Sequence, residues 1–190
     1  MKLRVSSLAR AEDIFAELKP DRVVSLVDRV DKVPKFSPCW HLRLNFGDNE
    51  VIWHPWAPTF SDVQTVFDFV QPGDTVLVHC IGGICRSVAA SIGLLVREEM
   101  IQARWENRSF DLEATVNQVV QQLLTDSPGM SPNKLILEFV DRHLQLDGKL
   151  KGLVAKAIEQ FAPKELQLWC ADCKIWFEDG KCPCDHFTKE

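Results

Sequence analysis

No apolar run in the sequence approaches the ~18 residues that a membrane-spanning helix needs. The opening residues, Met1-Lys2-Leu3-Arg4-Val5-Ser6-Ser7, lack the apolar core and small-residue cleavage site of a secretory leader. A soluble, cytoplasmic protein without a membrane partner is therefore expected. Positive charge is not in excess either. With 22 Lys and Arg against 27 Asp and Glu, the formal net charge is −5, which argues against nucleic-acid binding by broad electrostatics. A local basic pocket stays open. Internal repeats and low-complexity tracts are missing, so neither a solenoid nor a long disordered segment is expected. The seven cysteines are an odd number and unevenly spread. Cys39, Cys80 and Cys85 are scattered, whereas Cys170, Cys173, Cys182 and Cys184 crowd the C-terminal end. That pattern fits a reactive thiol and a metal cluster better than a disulfide framework.

What is present suits one ordinary globular domain with a small appendage: 190 residues, 46% hydrophobic and 26% charged. Residues 2–6, 22–27, 40–46 and 75–79 have the length and β-branched or alternating character of strands. Residues 9–18, 61–70, 88–100, 112–124, 132–146 and 148–161 have helical spacing. Pro132 is placed as the first residue of its helix, with Ser131 as the cap. Strands alternating with helices predict an α/β domain, three layers thick, with a central, largely parallel sheet flanked by helices. The organisation expected is a catalytic domain over 1–147, a helical linker over 148–167 and a cysteine-rich module over 168–190.

The apolar strand Thr75-Val76-Leu77-Val78-His79 has the character of one buried on both faces of a parallel sheet. It feeds the loop Cys80-Ile81-Gly82-Gly83-Ile84-Cys85, which opens a helix at about Arg86-Ser87. In such sheets, ligands bind beyond the carboxyl ends of the strands, and helix N-termini attract anions. Gly82 and Gly83 let successive backbone amides point inward as an anion nest. The same partial charge, with Arg86, favours the thiolate of Cys80 over the thiol. The Arg86 guanidinium is a planar fork that matches two phosphoryl oxygens.

His79-Cys80-x-x-Gly83-x-x-Arg86-Ser87 resembles the phosphate-binding loop of the protein tyrosine and dual-specificity phosphatases. Two further stretches extend the resemblance over about residues 1–146. Leu44-Asn45-Phe46-Gly47-Asp48 ends in a carboxylate 32 residues before Cys80, about where the family keeps its general acid. Ser131-Pro132-Asn133 is similar to the helix start of small dual-specificity phosphatases. The whole is most similar to compact bacterial or phage tyrosine-phosphatase-like proteins. The resemblance implies that Cys80 is the nucleophile, Arg86 the phosphate clamp and Asp48 the general acid and base, with Glu50 and Asp62 as alternatives. It further implies that Ser87 stabilises the departing thiolate, that His79 orders the loop and that Asn133 buttresses it. No metal is needed for that chemistry. Two departures stand out. Cys85 occupies a position where a small residue is usual, which raises the question of a reversible disulfide with Cys80. The extended phosphotyrosine-recognition loop has no counterpart.

In the tail, Cys170-Ala171-Asp172-Cys173 supplies one ligand pair and Cys182-Pro183-Cys184 a second, with His186 as an alternative ligand. Asp179-Gly180 is a turn signal that makes residues 175–177 one arm of a hairpin. Four thiolates favour a structural zinc ion. Such a module is expected to be structural or to recruit a protein partner. The function expected is hydrolysis of phosphate monoesters on phosphorylated protein through a cysteinyl-phosphate. The alternatives are a phosphoinositide, nucleotide or RNA 5′-phosphate substrate, or a non-catalytic phospho-ligand-binding adaptor.

Overall fold

The computed structural model describes residues 1–163 and the backbone of 168–169 and 176–177. Strands β1 (Lys2–Ser7), β2 (Arg22–Val27), β3 (Trp40–Asn45) and β4 (Thr75–Cys80) form one sheet in the order β1-β4-β2-β3. Every pairing in it is parallel. The side-chain period of two divides each strand between two layers. Val23 and Leu77 face α1 (Ala11–Leu18), packing with Ala11, Ile14, Leu18 and Phe36. Val24, Leu26, Val76, Val78 and Cys80 join the larger core on the other side. That layer contains α2 (Phe60–Phe69), α3 (Arg86–Trp105), α4 (Leu112–Asp126), α5 (Lys134–Leu144) and α6 (Leu150–Phe161). β4 is buried over its last five residues, as its near-continuous apolar run requires, while the edge strand β3 alternates.

Helix α3 runs through the middle of the helical layer and is buried along most of its length. Gly93 lets it do so: a Cβ there would lie 2.7 Å from Val140 of α5 and 2.9 Å from Phe67 of α2. The helix starts at Arg86, two residues before its apolar pattern begins, because the phosphate-type loop ends directly in its first turn. Helix α2 is set by a capping box between Thr59 and Asp62. The start of α5 differs from expectation. Its cap is Asn133, whose side-chain oxygen accepts from the Ile136 amide at 3.0 Å, so Pro132 and Ser131 lie outside the helix. The amide side chain of asparagine serves as acceptor and donor at once, and here both ends are used. Helix α6, read as a linker from the sequence, inserts Leu150, Val154 and Ala157 into the main core. Asp141 holds its first turn through the Gly148 and Leu150 amides.

Two short antiparallel strands, β5 (Leu168–Trp169) and β6 (Trp176–Phe177), pair with each other. The expected hairpin arm at residues 176–177 pairs with residues 168–169; Asp179-Gly180 lies outside the described residues. Cys170, Cys173, Cys182, Cys184 and His186 lie outside the described residues.

Candidate active site

The connections after all four strands meet at the carboxyl edge of the sheet, and Cys80 ends β4 at that edge. Its Sγ is buried and takes two hydrogen-bonding neighbours from the loop it opens. The Gly83 amide donates to it at 3.2 Å, and Ser87 Oγ lies 3.1 Å away. Of the two loop glycines only Gly83 is required by geometry. It has φ +72°, and a Cβ would come within 2.6 Å of the Ser6–Ser7 peptide. Gly82 would accept a Cβ at ordinary contact distance from Ile84. The loop is pinned by main-chain bonds on both sides. Leu8 N–H donates to Ile81 O (3.1 Å), Ser131 N–H to Ile84 O (2.9 Å) and Asn133 N–H to Cys85 O (3.4 Å).

Arg86 is 4% exposed and fixed before any anion arrives. Its Nη1 donates to Asp28 Oδ1 at 2.9 Å and to Phe46 O at 2.6 Å. Its Nε is buried with no partner among the described residues. A buried guanidinium N–H without a partner, at the N-terminus of the helix that follows the Cys80 loop, suits an oxyanion. Asp28, just past β2, is a site residue the sequence did not single out. Only the strand order, with β2 next to β4, brings it to Arg86.

Asp48 sits in the connection after β3 and accepts from Asn133 Nδ2 at 2.8 Å. Asn133 thus ties the α5 start to Asp48 with its side chain and to the Cys85 carbonyl with its backbone. Cys85 faces the same carboxylate. Burial first, then a hydrogen bond to Asp48 and the negative charge of Asp48 and Cys80, push its thiol up to about 12 against a smaller pull from Arg86. That upward shift favours the thiol form of Cys85. The other carboxylates considered for acid catalysis are engaged elsewhere. Asp62 completes the α2 capping box, and Glu50 accepts from the Lys134 amide at 2.7 Å.

His79 points to the opposite face from Cys80 and is fully buried. Its Nε2 is 2.6 Å from Ser25 Oγ, which is also 2.7 Å from Nε2 of His41 on β3. Burial chiefly, then the His41 ring, lowers His79 from 6.5 to about 4, against a hydrogen bond to the Cys80 backbone that raises it. Ile81 and Ile84 are exposed at the mouth. Among the described residues no cluster of His, Cys, Asp or Glu could hold a metal ion, and no helix is long and apolar enough to cross a membrane.

No family profile and no curated protein sequence matches the chain. Solved structures do. The phosphatase domain of Yvh1 from Chaetomium thermophilum superposes with a TM-score of 0.53 at 17% identity, covering 76% of this chain and 90% of that one. The human tyrosine phosphatase-like serine/threonine/tyrosine-interacting protein gives 0.55 at 16%, covering 76% and 92%. PTPMT1, solved in complex with PI(5)P, gives 0.50 at 12%, covering 84% and 94%. The chain has the fold of the dual-specificity phosphatases.

Proposed function

We propose that the chain is a cysteine-dependent phosphatase that hydrolyses phosphate monoesters on protein, phosphotyrosine first and phosphoserine or phosphothreonine beside it. One observation carries the reading: the Cys80 sulfur, held by Gly83 N–H and Ser87 Oγ, shares its loop with an immobilised Arg86 whose buried Nε has no partner among the described residues. Cys80 Sγ attacks phosphorus while the bond to the leaving oxygen breaks and Asp48 gives that oxygen its proton. Arg86 and the loop amides carry the charge of the equatorial oxygens. Water then attacks the cysteinyl-phosphate and loses its proton to the Asp48 carboxylate, while the Ser87 hydroxyl supports the departing thiolate. Cys80→Ser is expected to abolish turnover of an aryl phosphate, and Asp48→Asn to lower kcat by roughly 10²-fold. An unchanged rate in Cys80→Ser removes the mechanism; an unchanged rate in Asp48→Asn moves the proton to another group.

A second substrate class has support of its own. Ile52, Trp53 and Trp56 are exposed on the connection after β3, Trp53 to 85%, and Ile81 and Ile84 are exposed on the loop after β4. An apolar rim of this kind marks a surface that meets an apolar partner. It suits a phosphoinositide in a bilayer as well as an apolar peptide. Rates on a phosphotyrosyl peptide and on phosphoinositide vesicles, compared as kcat/KM, decide between them. For the tail, the reading keeps a structural zinc ion held by Cys170, Cys173, Cys182 and Cys184, with His186 as the alternative ligand.

A further inference from the structure

The connection after β3 carries Asp48 and is held to the rest of the protein at few points. Gly47 N–H donates to Trp56 O at 2.6 Å, which closes residues 47–56 into a loop with a pinched base. Within this acid loop, Asn49 Oδ1 accepts from the Val51 amide at 2.8 Å and Val51 O from the His54 amide at 2.9 Å. Residues 51–56 are all exposed, so packing does little to fix it. Among the described residues, only Asp48 and Glu50 make hydrogen bonds from residues 47–57 to another part of the chain, and both reach the start of α5. Asp48 Oδ1 accepts from Asn133 Nδ2 at 2.8 Å, and Glu50 Oε1 accepts from the Lys134 amide at 2.7 Å. We propose that Glu50 is a positioning residue: its bond to the Lys134 amide latches the acid loop to α5 and so holds the Asp48 carboxyl at Asn133, whose backbone is bonded to Cys85 of the Cys80 loop.

The chemistry of the contact suits that role. The first amides of a helix have no acceptor within it, and a carboxylate is favoured there by the helix dipole. Asn133 caps α5 and Lys134 is its first residue, so Glu50 takes a free amide next to the side chain that holds Asp48. The two carboxylates are two residues apart and their partners are adjacent. Two such bonds fix the orientation of the loop against α5, which one bond cannot do. The Lys134 ammonium lies 3.8 Å from Glu50 Oε2, but the two side chains are 68% and 43% exposed, and a solvated pair adds little. The directed contact is the one to the backbone amide. Elsewhere the Arg29 guanidinium lies 4.9 Å over the Trp56 indole, which ties the loop to the connection after β2 and leaves its seating on α5 unset.

The inference rests on the phosphatase reading for the role of Asp48, and its tests separate the two. A general acid matters most when the leaving oxygen is basic. In Glu50→Ala, kcat/KM should fall about fivefold on phenyl phosphate but less than about twofold on 4-nitrophenyl phosphate. Glu50→Gln, which keeps an oxygen for the Lys134 amide, should recover most of the loss. In an Asp48→Asn background, Glu50→Ala should change neither rate, because the group it positions is gone. Amide hydrogen exchange in the full chain reads the latch without turnover. Residues 49–57 should exchange faster in Glu50→Ala than in the wild type, whereas loss of a helix cap alone would speed only the first turn of α5. Equal losses on the two phosphates, an additive effect on Asp48→Asn, or unchanged exchange over 49–57 overturns the proposal. A wild type that hydrolyses neither phosphate removes the phosphatase reading, and exchange over 49–57 then decides by itself whether Glu50 latches the loop.

Discussion

His79 and Cys80 are neighbours in sequence that lie on opposite faces of the sheet, because successive side chains of a strand alternate. Burial that keeps His79 neutral couples it to folding. Its value in the native chain, about 4, is below the ordinary 6.5, so between those limits the unfolded chain binds a proton the native one does not. The resulting stabilisation is complete above pH 6.5 and is lost as the pH falls toward 4. At pH 5 the loss amounts to about 2 kcal/mol. Denaturant melts at pH 7 and pH 5 should show that drop in the wild type and a drop smaller by about that amount in His79→Gln. Cys85 illustrates the opposite limit. Its half-buried thiol, facing Asp48, is pushed up to about 12, which suits a hydrogen-bond donor.

At the scale of elements, the start of α5 is the joint of the site. Asn133 caps the helix through its oxygen, reaches Asp48 through its nitrogen and meets Cys85 through its backbone. Asn133→Ala should cost about 1 kcal/mol of stability as the cap is lost. Asn133→Ser keeps a capping oxygen but no amide donor, so it should recover most of the stability while both variants lower kcat several-fold. Paired melts and steady-state rates on one aryl phosphate check this; equal kcat in all three proteins would mean that Asp48 needs no positioning. The sequence marked Asn133 as a support for the loop but assigned the cap to Ser131, because a serine before a proline is an equally good local signal. The choice between them is made by Asp48 and the Ile136 amide, the first of which lies 85 residues away in sequence.

At the scale of the whole molecule, the described residues form one α/β unit in which α6 is part of the core, while the cysteine-rich tail carries its own prediction. Metal analysis of the purified full chain should find about one equivalent of zinc, reduced sharply in a Cys170→Ser/Cys173→Ser variant with the aryl phosphatase rate unchanged. Finding no zinc in the wild type would remove the metal. Strand and helix positions were readable to within a few residues because apolar periodicity and turn residues are local properties. So were the strand, loop and helix start that hold Cys80, Gly83, Arg86 and Ser87 together, since all four lie in one short segment. The pairings across the sheet were not readable. Asp28 on Arg86 and Ser25 between His79 and His41 exist because β2 lies beside β4, and local patterning contains no term for strand order. The sequence by itself determined the glycine-bearing loop that joins the strand ending in Cys80 to the helix starting at Arg86, and the period of each element. Only the tertiary structure decided which carboxylate anchors the arginine, which residue caps α5 and what stands behind the histidine, because each is a contact between segments that meet only when the sheet assembles.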